Sequence, residues 1–201
     1  FLDQTIDDTL GPDHGTQLRF AAAREFFYDL LSDLGARADA STAVERIDLA
    51  HEVFATMGHG RLELQGHPDG GEATGGYLHY GRSWHDKYGQ LVNRAHPADA
   101  VACGFGAAAL EIAYGVERGT MSGREVKCVA MRAPECHFAY EHGAQVEPPG
   151  TAVDEETCRS TLKPIFAGHG DDDIPAIAAG LRDFTAGVSG DDRGLVQAFG
   201  V

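Results

Sequence analysis

The sequence predicts an α+β fold, an antiparallel sheet of about four strands with helices packed on one face. Three observations lead there. The first sixty residues carry apolar side chains at helical spacing, the pattern switches to period two from Arg61, and a helix rich in small residues separates two pairs of strand-like segments. At 201 residues the chain can hold one main domain with a real core, or one domain plus an appendage.

Asp13-His14-Gly15-Thr16 marks the first helix start, Phe20, Phe27, Leu31 and Leu34 share a face, and Gly35 stops it. Ser41-Thr42 with Glu45 has capping-box spacing and opens a second helix, whose Val44, Ile47, Ala50 or His51, and Phe54 share a face as far as Gly58. This helical pair spans 16–58. LELQGH is then a strand, and the stretch GGYLHYGRSW (75–84) reads as the second arm of a hairpin, joined to it by the turn-rich, exposed PDGGEATGG. Pro97 opens a further helix over ADAVACGFGAAALEIAYG, whose Gly and Ala positions suit close packing on a sheet. Gly104-Phe105-Gly106 falls inside this helix and serves packing, not phosphate binding.

After Gly115 and Gly119 come two strands, REVKCVAM and ECHFAYE, joined by Arg132-Ala133-Pro134. Period two places Val126, Cys128 and Ala130 on one face, and Cys136, Phe138 and Tyr140 on one face. The sheet with its helix spans 60–141, and the main domain 1–143. Residues 144–201 read as a linker followed by a helical C-terminal appendage, expected to be truncated because its last helix has only just begun. Within it, Asp171-Asp172-Asp173 is half a calcium loop without the glycine and the closing Glu, which favours a solvated helix start.

The formal net charge of −15 excludes nucleic acid as a partner of this segment and disfavours anionic membranes. No window is apolar enough to span a bilayer, and FLDQTIDDTLG carries acids where a signal peptide needs a basic end, so a cytoplasmic location is expected. In such a compartment the four cysteines, Cys103, Cys128, Cys136 and Cys158, are expected to bind metal or to be simply buried, not to form a disulfide framework.

Cys128 and Cys136, eight residues apart on neighbouring strands, can point to the same side and supply two thiolates to a tetrahedral ion. Two inward cysteines packed like alanines would give the same spacing. Glu125 differs from Cys128 by an odd number, so a regular strand sends them to opposite faces; a bulge must turn Glu125 inward, or His137 or a water takes its place. Tyr77, Tyr80, Trp84, His85, Tyr88, Phe105 and Phe138 outline an aromatic-lined cavity with polar handles, suited to a small apolar or phenolic ligand; a sheet face packed under helices would look alike. No nucleophile elbow, Walker loop or dinucleotide fingerprint is present, and no catalytic residue is assigned.

HPADAVACGFGAAAL, REVKCVAM and ECHFAYE together resemble the 4-vinyl-reductase-type domain, over about Gly75 to Glu141. That family includes the phenol- and xylene-sensing domains of bacterial activators and is related in fold to nitric-oxide-signalling and TRAPP trafficking domains. The resemblance implies zinc, held by a helix Cys, a strand Glu, a Cys three residues later and a Cys eight beyond, which here are Cys103, Glu125, Cys128 and Cys136. Three thiolates and a carboxylate close the tetrahedron, so the ion is structural and activates no water. The implied function is a dimeric, zinc-braced sensory domain for a hydrophobic or aromatic molecule. The alternatives are an enzyme or accessory protein of a reductase pathway, and a subunit scaffold of the trafficking-complex type.

Overall fold

The computed structural model describes residues 6–7, 10–92 and 94–143; the linker and appendage, Cys158 and the Asp171–Asp173 run lie outside the described residues. Helix α1 spans Pro12–Arg37, with proline in its first turn where no N–H is missed, and α2 spans Ala43–Thr56. Strands β1 (Glu63–His67) and β2 (Gly70–Gly75) form a hairpin, α3 covers His79–Tyr88, and α4 covers Ala100–Tyr114. Strand β3 (Met121–Lys127) is followed by a single 3-10 turn, Val129–Met131, and by β4 (Cys136–His142). The sheet is antiparallel throughout, in the order β1-β2-β4-β3. The expected α+β architecture is therefore the one observed. Among the described residues no helix is long and apolar enough to cross a membrane.

The N-terminus of α2 is a capping box: the Glu45 N–H donates to Thr42 Oγ1 at 3.3 Å, and Glu45 Oε2 accepts the Thr42 N–H at 2.9 Å. The N–H of Thr42, its hydroxyl, and the same two groups of Ser41 hold the Glu45 carboxyl down at about 2. Replacing Thr42 by Ala removes one of these reciprocal bonds and is expected to cost about 1 kcal/mol, read from urea midpoints at unchanged slope.

One strand is corrected. The second arm of the first hairpin is Gly70–Gly75, and the segment read as that arm, 75–84, instead turns and enters α3. The glycines taken for an exposed loop are strand residues, and two close approaches require them. A Cβ on Gly71 would lie 2.4 Å from the Gln65 carbonyl oxygen, and one on Gly75 would lie 2.6 Å from the Leu78 side chain. Tyr77 to Tyr80 alternates over too few residues to tell a strand from a helix start.

Helix α4 lies across the inner face of the sheet and α1 packs on its far side. Small residues make both approaches possible. A side chain at Gly104 would meet the Phe20 carbonyl oxygen at 2.4 Å, and one at Gly106 would meet the Tyr140 hydroxyl at 2.1 Å. Phe105 points into a cluster with Phe27 and Phe54, at ring-centroid distances of 4.9 and 4.6 Å. His51, on the apolar side of α2, accepts the Leu64 N–H at 3.0 Å and is a satisfied structural histidine.

At the other end of α4, buried Glu111 accepts the N–H groups of Gly119 and Met121 at 3.0 and 2.8 Å and so fixes the entry to β3. Burial raises its carboxyl above the ordinary value of 4.5 against the pull of those two N–H groups and of Arg24. A raised acid is protonated in the folded state where the unfolded chain has already ionised, so this group's stabilising contribution is full below pH 4.5 and falls as pH rises through the folded value. Glu111→Gln keeps an acceptor for both N–H groups. It is expected to flatten the decline of stability above pH 4.5, measured as melting temperature against pH beside the parent chain.

Candidate functional site

The end of β3 does not run on regularly. Its pairing with β4 shifts between Glu125 and Lys127, a bulge that breaks strict alternation. The parity conflict between Glu125 and Cys128 is resolved there. Val126 is left exposed, not sharing a buried face with Cys128 and Ala130 as regular alternation would have it, while Cys128 and Ala130 are buried. The 3-10 turn then reverses the chain, ending at Arg132 in the left-handed region (φ 68°), and Cys136 returns opposite Cys128.

Four donors converge at this corner. Oxygens of Asp99 and Glu125 and the sulfurs of Cys128 and Cys136 all lie within 4.8 Å of one another. Asp99 and Cys136 are fully buried and Cys128 is nearly so. The Asp99 N–H donates to Glu125 Oε2 at 2.8 Å, the Cys136 thiol to Asp99 Oδ2 at 3.2 Å, and the Val129 N–H to Cys136 Sγ at 3.4 Å. Burial, then the neighbouring Asp99 and Cys128, push the Glu125 carboxyl up to about 10. Hydrogen bonding with Cys136 draws the Cys128 thiol down to about 5, while hydrogen bonding with Cys128 and then burial push Cys136 up.

This donor set fits a divalent ion. Zinc at about 2.3 Å from sulfur and about 2.0 Å from oxygen puts the ligand atoms of a tetrahedron roughly 3.3 to 3.8 Å apart, so the donors would draw together by at most about 1.5 Å. Four acidic side chains packed in a low-dielectric corner cannot all ionise without a cation to offset them.

The loop that delivers Asp99 is itself anchored. Arg94 donates to the His96 carbonyl oxygen at 2.8 Å and shares the buried Asp7 carboxylate with Arg19, at 2.6 and 2.7 Å respectively. Helix α3 closes the other side of the cluster. A Cβ at Gly81 would be 2.2 Å from Asp99 Oδ2 and 3.4 Å from Cys136 Sγ, so the glycine makes room for the donors.

Of the residues read from the sequence as metal ligands, the structure brings together Glu125, Cys128 and Cys136. Cys103 is buried beside Tyr140 and Gly123, outside that group of four donors but within electrostatic reach of Glu125. His137 pairs with Glu72 across the outer face of the sheet at 3.3 Å. Asp99 was not singled out in the sequence; an Asp directly before a helix reads as an ordinary cap, and nothing in the spacing distinguishes it.

The aromatic residues divide into two groups. Tyr80 stacks on half-buried His59 at 6.0 Å, and His59 in turn meets Phe54 at 5.2 Å and Phe27 at 6.1 Å, which joins Tyr80 to Phe105. Burial, and then the proximity of His79, lower the His59 pKa, which favours the neutral ring. Trp84, Tyr88 and Arg94 form the second group, with Arg94 over the indole at 5.5 Å. His85 is half-buried, Tyr77 is 65% exposed with Arg82 over its ring, and Phe138 is fully buried in the sheet core. His59 is the residue the sequence reading left out of the aromatic set; its place just after Gly58, where α2 has ended, was the available signal.

No family model matches the chain, and no curated protein matches it either. Among solved structures, the fold is similar to that of the phenol-responsive sensory domain of the transcription activator PoxR with phenol, at 17% sequence identity over 73% of each chain and a TM-score of 0.54. The likeness is one of fold.

Proposed function

We propose that this chain is a small-molecule sensory domain, braced by zinc, for a compact aromatic ligand carrying a hydroxyl. The observation that carries the reading is His59: a half-buried imidazole among Phe27, Phe54 and Tyr80, its pKa lowered by burial, beside the helix that roofs the donor cluster. A neutral imidazole exchanges a hydrogen bond with a phenolic O–H without the desolvation cost of a charge, and the surrounding rings favour an aromatic plane by offset or edge contact. The similarity in fold to a domain crystallised with phenol supports the same ligand class. Zinc supplies structural cross-linking here, tying the β3–β4 corner to the start of α4.

Titration of the whole chain with phenol, followed by calorimetry and by Trp84 fluorescence, tests this. Saturable binding that weakens at least about tenfold in His59→Ala is expected, a loss of one buried hydrogen bond. Absence of saturable binding for both phenol and toluene in the folded, metal-loaded chain overturns the ligand class.

A further inference from the structure

We infer that the fourth ligand of the metal centre is Asp99, making it a site of two thiolates and two carboxylates, and that Cys103 plays no part in it. The inference rests on the zinc reading above and assigns the ligand within it. The first ground is distance along the chain. Cys103 follows Asp99 by four residues, a rise of roughly 6 Å along α4, and its thiol sits by Gly123 and Tyr140, two residues and roughly 6.6 Å along β3 from Glu125. Cys103 lies within electrostatic reach of Glu125 but outside the group of four donors, and bringing its sulfur into that group would require α4 to move along its axis between the sheet and α1. The packing of Gly104 on the Phe20 carbonyl and of Gly106 on Tyr140 locks it against that shift.

The second ground is what Asp99 does with its side chain. It occupies the N-cap position of α4, where an Asp ordinarily accepts an N–H of the first turn and contributes about 1 kcal/mol, yet it makes no side-chain cap bond. Its Oδ2 is turned instead to the Cys136 thiol at 3.2 Å, and its own N–H is given to Glu125. The Cys136 thiol gives that carboxylate one hydrogen bond, but two carboxyls and two thiols buried together repel one another when ionised, whereas a shared divalent cation stabilises all four. The third ground is Gly81. A roofing helix that presents a bare backbone at Asp99 Oδ2 leaves that oxygen its position in the cluster, and any side chain there would displace it.

Such a centre attaches the ion to four pieces of chain: the loop before α4, the bulge of β3, the start of the 3-10 turn and the start of β4. Its mixed donors accept cobalt(II) as well as zinc, and cobalt reports the number of thiolates through the intensity of its sulfur-to-metal charge-transfer band. Cobalt(II) is therefore the probe, added to the reduced, metal-free whole chain. One equivalent is expected to bind with a two-thiolate band, and Cys103→Ser is expected to leave stoichiometry and band unchanged. Asp99→Ala should weaken cobalt binding by about a hundredfold or more, beyond the 10- to 100-fold that loss of an outer partner gives. Should Asp99→Ala fail to fold, Asp99→Cys decides: a third thiolate at the ion raises the band in proportion. Loss of the band in Cys103→Ser, or an unchanged band in folded Asp99→Cys, overturns the assignment of Asp99 and leaves the zinc reading standing. No cobalt or zinc bound by the folded parent chain overturns both.

Discussion

Stripping the metal with a strong chelator is expected to lower the melting temperature of the whole chain by about 10 °C or more, and adding one equivalent of zinc to restore it. Structural zinc in a peptide with almost no core of its own carries roughly 10 kcal/mol or more of apparent folding free energy. This domain has a core without it, so only the corner around Asp99, Glu125, Cys128 and Cys136 would depend on the ion; a few kcal/mol at about 3 °C each give the shift stated. Cys136→Ser should reproduce it without chelator, because the sulfur is fully buried opposite Cys128 and a hydroxyl there is a poor zinc ligand. Thermal scans with metal analysis on the same samples check both. A parent chain that holds zinc but melts unchanged after chelation would show that the corner is held by its hydrogen bonds alone.

The architecture was legible where one periodicity ran long enough. Phe20, Phe27, Leu31 and the Thr42–Glu45 box fix α1 and α2, and the Gly and Ala run of α4 signals a helix pressed between two layers. The second arm of the hairpin β1–β2 was misread because its glycines are there for the approach of the neighbouring strands and of Leu78, a tertiary reason that outweighs the local preference of Gly-rich sequence for turns. At the donor cluster, alternation alone exposed the conflict between Glu125 and Cys128 and called for a bulge, which the β3–β4 register contains. Asp99 stayed invisible because its part depends on a side chain turning away from its own helix, which no spacing encodes.

The two groups of residues are mechanically connected through α3. Gly81 lies against Asp99, while Tyr80, one residue before it, stacks on His59. A ligand that displaces Tyr80 or His59 therefore pushes on the helix that roofs the donors. On the proposed function, metal at the cluster would stiffen that roof and so connect the brace to the sensing without a contact between ion and ligand.

Phe105→Ala is expected to cost about 4 kcal/mol and to lower the melting temperature by roughly 12 °C or more. The ring is fully buried at the junction of three helices, edge-on to Phe27 at 4.9 Å and tilted against Phe54 at 4.6 Å. Truncation removes the transfer free energy of an aromatic side chain and both ring contacts, and it opens a cavity. The surroundings collapse into it poorly. Gly104 and Gly106 on either side of Phe105 already bring α4 against α1 and Tyr140 at minimum separation, so the helix has no slack in which to settle. Phe105→Leu should recover about half of the loss, since volume matters more than aromaticity at a site without a hydrogen-bonding partner. Denaturant unfolding of the three chains, each saturated with zinc so that the corner is held constant, measures the ladder. Phe105→Ala within about 1 kcal/mol of the parent chain would show that the junction repacks freely, and that the aromatic cluster around His59 is not a fixed wall for a ligand.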